Sequence, residues 1–264
     1  MSDDSTIDHS PNPSYDASYN TLCDSSSNSL ANITLTPIAT IKSPYKEKFA
    51  IPRQPNLVNA ACGKVIFSGD ANNEELVRGI EQFSHLWLLF IFHGTQDQGW
   101  KPLVRPPRLG GNKKLGVLAT RSTFRPNPIG MSVVKLEQVE RRSGGQLELH
   151  ISGLDLLNGT PIVDIKPYVP YSDSLPDACA GFAQNEPVAS LKVTFTEQAL
   201  LDLAKLNQKH PQLGLLIEQV LAQDPRPAYK QYKVDDKLYG MNLYDLNIQW
   251  RMISLKAVEV LTIT

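Results

Sequence analysis

The chain has 264 residues, a formal net charge of −1 and 41% hydrophobic content, enough apolar surface for one large domain or two modest ones. Its longest apolar run, Leu86 to Phe92, is far short of the ~20 residues that cross a bilayer, and the start Met1-Ser-Asp-Asp lacks the basic and apolar stretches of a secretory signal. Three scattered cysteines (Cys23, Cys62, Cys179) without a CxxC pair, and five histidines without HxxxH or HxH spacing, speak against a disulfide framework and against a metal site, so a reducing, cytoplasmic setting is expected.

In chain order, residues 1–30 hold Asp3, Asp4, Asp8, Asp16 and Asp24, no Lys or Arg, and few large aliphatics, and so read as a disordered acidic tail. Because five of the 27 acidic residues and none of the 26 basic ones lie in that tail, residues 31–264 carry a net charge of +4. From Ile33 the pattern becomes strand-like. Ile33–Lys42 alternates up to a Ser43-Pro44 break, and Gly63–Ser68 is a short apolar strand. Asn72–Phe83, with Asn caps followed by Glu74 and Glu75, predicts a short helix. Phe83–His93 reads as a central strand covered on both faces. Further strands are expected at Leu115–Thr120, Ser132–Glu140, Gln146–Ser152 and Pro161–Ile165, spaced by Gly, Pro and Asn turns that suggest a closed or strongly curved sheet.

Near residue 180 the character changes. Leu191–Phe195 predicts a strand, Thr196 caps an amphipathic helix to about Gln208, and Pro211 begins a second helix ending before Asp224-Pro225. Tyr229–Val234, Leu243–Met252 and Ala257–Ile263 alternate as antiparallel strands. The expected fold is therefore mainly β and α+β: a single-sheeted, β-barrel-like domain at 31–178 and a small α+β domain at 179–264.

Charge is the most informative feature. Between Asp97 and Glu137 there is no acidic residue, while Lys101, Arg105, Arg108, Lys113, Lys114, Arg121, Arg125 and Lys135 all fall there. Two Pro/Gly-rich segments, Val104-Arg-Pro-Pro-Arg-Leu-Gly-Gly111 and Arg121-Ser-Thr-Phe-Arg-Pro-Asn-Pro-Ile-Gly130, interleave arginines with residues that stiffen the backbone. Guanidiniums on a rigid loop suit a phosphate or carboxylate, since each offers planar paired donors. A solvated basic loop is the competing reading.

Three other segments could carry chemistry. Ser43 to Pro55 ends a strand in a Pro-punctuated loop bearing Arg53 and Gln54. His93-Gly94 follows the buried strand, where a lone histidine is more often structural. Ser152 to Tyr168 contains an Asn158-Gly159 turn and the Asp164/Lys166 pair, two apart in a strand and so on one face; a structural ion pair explains them as well. No GxGxxG, Walker loop or GxSxG elbow is present, so the common dinucleotide, NTPase and hydrolase mechanisms lack their signatures. From these residues alone, a β-rich protein binding an anionic or nucleic-acid partner is as far as the reading goes.

Taken together, SPYKEKFAIPRQPNLV, FSHLWLLFIFH, RPPRLGGN, RSTFRPNPIGMS, LDLLNGTPIVDIKPY and DPRPAY at 224–229 resemble the TsaA/TrmO-like tRNA methyltransferases over about residues 33–264. The resemblance implies a homodimeric β-barrel enzyme that uses S-adenosylmethionine to methylate N6 of threonylcarbamoyladenosine beside the anticodon. It implies cofactor contacts from Arg53, Gln54, Pro55, His93, Gly94, Arg121, Met131 and the run Ser152, Gly153, Leu154 and Asp155. Arg105, Arg108, Lys113, Lys114, Arg125 and Lys166 would then hold the tRNA anticodon arm, and Asp164 and Asn127 are the candidate proton-accepting or polarising groups. A non-catalytic RNA-binding barrel, or a methyltransferase with another acceptor, remains the alternative.

Overall fold

The structure is a computed structural model that describes residues 33–264 apart from 111, 188, 228, 229, 231 and 232. The acidic segment 1–30 and residues 229, 231 and 232 of the strand expected at Tyr229–Val234 lie outside the described residues, and the described residues 230, 233 and 234 are not strand.

Six strands close into a barrel: β1 (Ala39–Lys42), β2 (Cys62–Phe67), β3 (His85–Ile91), β6 (Ile129–Arg141), β7 (Leu147–Ser152) and β8 (Pro161–Pro167). Around the barrel they run β1-β2-β7-β6-β3-β8, every neighbouring pair antiparallel. Period-two alternation sends Ile41, Val65, Leu86, Leu88, Val134, Leu149, Ile151 and Ile162 inward, each at most 1% exposed. Between β3 and β6 the basic interval leaves the barrel and hangs on a two-residue ribbon, β4 (Leu103–Val104) with β5 (Leu115–Gly116). Its prolines and glycines cannot feed a ladder, so it stays a loop.

After the short helix α1 (Pro170–Asp173) come β9 (Lys192–Phe195), α2 (Glu197–Leu206), α3 (Leu213–Ala222), β10 (Tyr239–Leu243), β11 (Leu246–Ser254) and β12 (Ala257–Ile263). They form a sheet in the order β10-β11-β12-β9, with β9 parallel to β12. Thr196 caps α2 as its residue type suggests, its hydroxyl accepting the Ala199 amide at 3.2 Å. The loop from Ser43 to Glu47 is tied to this sheet: Tyr45 bridges Leu243, the Tyr244 amide donates to the Pro44 carbonyl (2.7 Å), and the Asn242 amide donates to Glu47 Oε1 (2.8 Å). No helix among the described residues is long and apolar enough to cross a membrane.

Four local expectations are corrected. Asn72–Phe83 is two 3₁₀ turns, Glu74–Val77 and Ile80–Gln82, because Gly79 between them takes φ +85° and ends any helix. Leu115–Thr120 gives only β5 and a 3₁₀ turn outside the barrel. β3 is buried on one face only: Leu86, Leu88 and Phe90 point inward, while Trp87, Leu89 and Ile91 are half-buried outside. Its apolar outer face, not a second layer, produced the continuous hydrophobic run. Leu243–Met252 is a hairpin of β10 and β11, turned at Tyr244 with φ +55°.

One barrel position needs glycine for space. Gly130 on β6 pairs with Phe90 on β3, and a Cβ there would sit 2.3 Å from Phe90 Cε2 and 2.8 Å from Phe92 Cζ. The two rings are packed edge to face at 5.1 Å, and Phe90 is buried, so neither can swing aside freely. Gly130→Ala should therefore destabilise the fold by about 1–3 kcal/mol through overpacking. Urea unfolding should show a lower midpoint at unchanged slope; an unmoved midpoint would mean that the rings yield.

Candidate active site

Two residues with left-handed backbone meet at the rim of the barrel. Asn56 (φ +64°) follows the Pro-Arg-Gln-Pro loop, and Gly153 (φ +70°) follows β7. The Asn56 amide donates to the Gly153 carbonyl at 2.8 Å, and the Gly153 amide donates to Ala61 O at 3.0 Å. A Cβ on Gly153 would lie 2.4 Å from Asn56 Oδ1, so both the angle and the space require glycine. This contact fastens Arg53, Gln54 and Pro55 to the segment Ser152–Asp155.

The second loop folds onto the first. Arg125 braces it from within, Nη1 donating to the carbonyls of Thr120 (2.7 Å) and Val117 (3.3 Å). Ser122 and Phe124 amides are taken by the Thr120 and Ser122 hydroxyls at 3.2 and 3.3 Å. Lys101 Nζ sits 4.3 Å above the Phe124 ring. Thus held, exposed Arg121 reaches back to the first loop and donates from Nη1 to Gln54 Oε1 at 2.6 Å. Below it, Asp155 Oδ1 accepts the Ser132 hydroxyl at 2.5 Å. Burial pushes the Asp155 carboxyl up to about 6, against the pull of Ser132 and Arg121.

These loops enclose a cavity of about 1290 Å³. Arg53, Lys101, Arg105, Arg108, Lys114 and Arg121 line it, with Glu186 the one carboxylate among the described lining residues. Gln54, Pro55, Asn56, Phe124 and Phe182 complete much of the wall. The far wall comes from residues 180–187, pinned by Arg108 Nη2 donating to the Asn185 carbonyl at 2.5 Å. A single carboxylate among six cations makes the cavity strongly anion-selective.

The expected site residues divide into three groups. Arg53, Gln54, Pro55, Arg105, Arg108, Lys114 and Arg121 line the cavity. Gly153 and Asp155 support it from beneath through Asn56, Ser132 and Arg121, whereas Leu154 is fully buried with its side chain packed under Gly63. Ser152 turns outward, donating to Glu137 at 2.5 Å. The remainder lies elsewhere: Met131, Asp164 and Lys166 on the barrel's outer face, His93 and Gly94 opening a 3₁₀ turn after β3, exposed Asn127 just before β6, and Lys113 in the basic loop but not in the cavity lining. Asp164 and Lys166 form an ion pair at 2.8 Å. Asn56, Ser132, Phe124 and residues 180–187 have no role in the sequence reading, and Lys101 enters it only as one cation of the basic interval. Ser132 was findable as a polar residue at an inward position of a strand.

On the opposite side of β7, Glu140, Glu148 and His150 offer ligand atoms within 4.8 Å of one another. Lys64 and Arg142 each contact Glu148 at 2.9 Å, and His150 contacts Glu140 at 2.7 Å. Burial alone would raise the Glu148 pKa, but these cations hold it below the usual carboxylate range. The group is a neutralised ion cluster.

Residues 40–174 match the model of the tRNA-methyltransferase O N-terminal domain, and residues 188–264 that of its C-terminal domain. The chain belongs to the tRNA-methyltransferase O family. It is 52% identical over 223 residues to the tRNA (adenine(37)-N6)-methyltransferase of Escherichia coli K12, covering 84% of this chain and 94% of that protein. It is 47% identical over 231 residues to a Pseudomonas aeruginosa protein whose name places it among S-adenosylmethionine-dependent methyltransferases, covering 87% and 97%. The crystal structure of a family member from Pseudomonas aeruginosa superposes with a TM-score of 0.75 at 41% identity, covering 89% of this chain and 99% of that one. Family membership agrees with the barrel and the small α+β unit described above.

Asp155 supplies a pH signature. A carboxyl whose folded pKa lies above its unfolded value of ~3.9 favours folding while protonated, and that contribution is lost as pH rises from about 4 through 6. Asparagine still accepts from Ser132 but never ionises. Asp155→Asn should therefore be more stable than the parent above pH 7, by about 3 kcal/mol, with the gap closing below pH 4. Thermal unfolding across pH 3.5–8 checks this; a pH-independent gap would contradict it.

Proposed function

We propose that this chain transfers a methyl group from S-adenosylmethionine to N6 of the adenine at position 37 of tRNA, the activity carried by the name of its Escherichia coli relative. More narrowly, the acceptor is threonylcarbamoyladenosine beside the anticodon, in a threonine tRNA, and the enzyme works in the cytoplasm. One observation carries the reading: a single cavity gathers the Pro-Arg-Gln-Pro loop and the basic interval. Its volume exceeds the ~300–1,000 Å³ usual for one small ligand, leaving room for cofactor and nucleoside side by side.

The donor set fits this cofactor. Arg53 and Arg121 offer paired donors to a carboxylate, and Gln54 fixes the direction of the Arg121 fork. When bound, S-adenosylmethionine supplies an electrophilic methyl on a sulfonium. The chain's own task is then to align a weak nitrogen nucleophile in line with it and to receive its proton, so positioning supplies most of the rate. Arg105, Arg108, Lys113 and Lys114 would hold RNA phosphates and the threonylcarbamoyl carboxylate, with Arg125 stiffening the loop and Lys166 meeting RNA from the outer face of β8.

A homodimer accounts for the residues that lie away from this cavity. Ile129 and Met131, 39% and 54% exposed, join Trp87, Leu89 and Ile91 in an apolar patch on the outer face of β3 and β6, with Asp164 in register beside Leu89. Covering that patch with a second copy would bury it and bring Met131, Asp164 and Asn127 to a partner's cavity, where Asp164 or Asn127 could accept or polarise the proton. His93, Gly94 and the segment Ser152–Asp155 would border the cofactor from the barrel rim.

The direct test is incubation with S-adenosylmethionine and tRNA from a strain lacking the gene, followed by nucleoside mass spectrometry. Methylated threonylcarbamoyladenosine is expected; no added methyl would refute the reading. Arg121→Ala should lower S-adenosylmethionine affinity by roughly tenfold or more, the loss of a charge-assisted pair. A Lys113/Lys114 double alanine should leave that affinity intact, raise the tRNA needed for half-maximal rate, and cut the log–log salt slope by about 0.7–0.9 per lost phosphate contact. An unchanged salt slope would remove these lysines from the RNA.

A further inference from the structure

A second cleft, about 510 Å³, opens beside the first and shares Arg53 and Pro187 with it. Its walls are Phe49, Ile51, Pro52, Leu191, Pro225 and Leu255, with Lys48 at the edge. Phe49 is 62% exposed and Leu255 54% exposed, so two large apolar groups face solvent across the opening. An exposed phenylalanine on a floppy loop would mean little. This one is on a short 3₁₀ turn, Lys48–Ala50, whose last residue is 1% exposed. The residues just before it are fastened by the Tyr45–Leu243 bridge and by Glu47 accepting the Asn242 amide at 2.8 Å. The chain thus fixes the backbone that presents an exposed aromatic ring in a cleft also lined by two cations, Lys48 and Arg53. Among the described lining residues the one acidic group is Asp224, which pairs with buried Arg226 at 2.8 Å.

We propose that this cleft is a nucleotide subsite in which Phe49 stacks a single-stranded RNA base flanking the acceptor adenine while Lys48 takes the adjoining phosphate. Arg53, shared by both cavities, places the two bases side by side along one strand. A base has the flat, apolar face that Phe49 and Leu255 call for, and its phosphate has the charge that Lys48 calls for; stacking of this kind tolerates any base. A second protein copy would satisfy the apolar walls but not the cations. The inference rests on the tRNA acceptor reading above.

The test uses the full chain, tRNA from the deletion strain, and variants Phe49→Ala, Phe49→Trp and Lys48→Ala. Phe49→Ala should weaken tRNA binding roughly tenfold and raise the tRNA KM, with S-adenosylmethionine affinity, melting temperature and the salt slope unchanged. Phe49→Trp should restore tRNA affinity. Lys48→Ala should instead lower the salt slope by about 0.7. If wild type transfers no methyl to tRNA, the acceptor reading and the subsite fall together. If it does, but Phe49→Ala binds tRNA as wild type, the subsite alone falls. A change of oligomeric state in Phe49→Ala would assign the cleft to a second copy and overturn the proposal.

Discussion

The site depends on the backbone contact between Asn56 and Gly153. Each residue sits in the left-handed region, and their pairing sets the end of the Pro-Arg-Gln-Pro loop against the end of β7. With that join made, Gln54 stands where Arg121 can reach it, and Arg121 stands within electrostatic range of Asp155. A loop from each side of the barrel rim is thereby locked to a strand whose inner face is core. Rigidity of this kind is what an enzyme working by alignment requires, because small displacements of a reacting pair cost large factors in rate.

The basic interval shows how composition becomes geometry. Its prolines and glycines keep it out of the ladder, and its own side chains then fold it: Arg125 on two carbonyls, Lys101 on Phe124, Arg108 on the Asn185 carbonyl. Three of its cations are thus partly committed to structure, and two of these, Lys101 and Arg108, still line the cavity beside Arg105, Lys114 and Arg121. Such a division cannot be read from a count of charges.

Much of the barrel was legible because its inner face obeys strict alternation, and Thr196 and the Asn158-Gly159 turn announced themselves by residue type. Legibility ended where chemistry depends on long-range pairing. Asn56 is an ordinary polar residue until Gly153 is placed against it; residues 180–187 look like a linker until Arg108 pins them across the cavity. The outer face of β3 misled for a different reason. Leu89 and Ile91 are apolar without being core, and only closure of the sheet shows that they point away from it. The resemblance assigns Met131 to the cofactor and the chemistry makes Asp164 a candidate proton acceptor, yet within one copy both share that outer face.

The central claim is that cofactor and acceptor share the cavity built on the Asn56–Gly153 join. A crystal structure of the chain with S-adenosylhomocysteine tests it most directly. The account places the ligand's carboxylate on Arg121 or Arg53, its body against Gln54 and Asn56, and open space beside it toward Arg105, Arg108 and Lys114. Density bound elsewhere, such as beside Glu140, Glu148 and His150 on the outer face of the barrel, would contradict it.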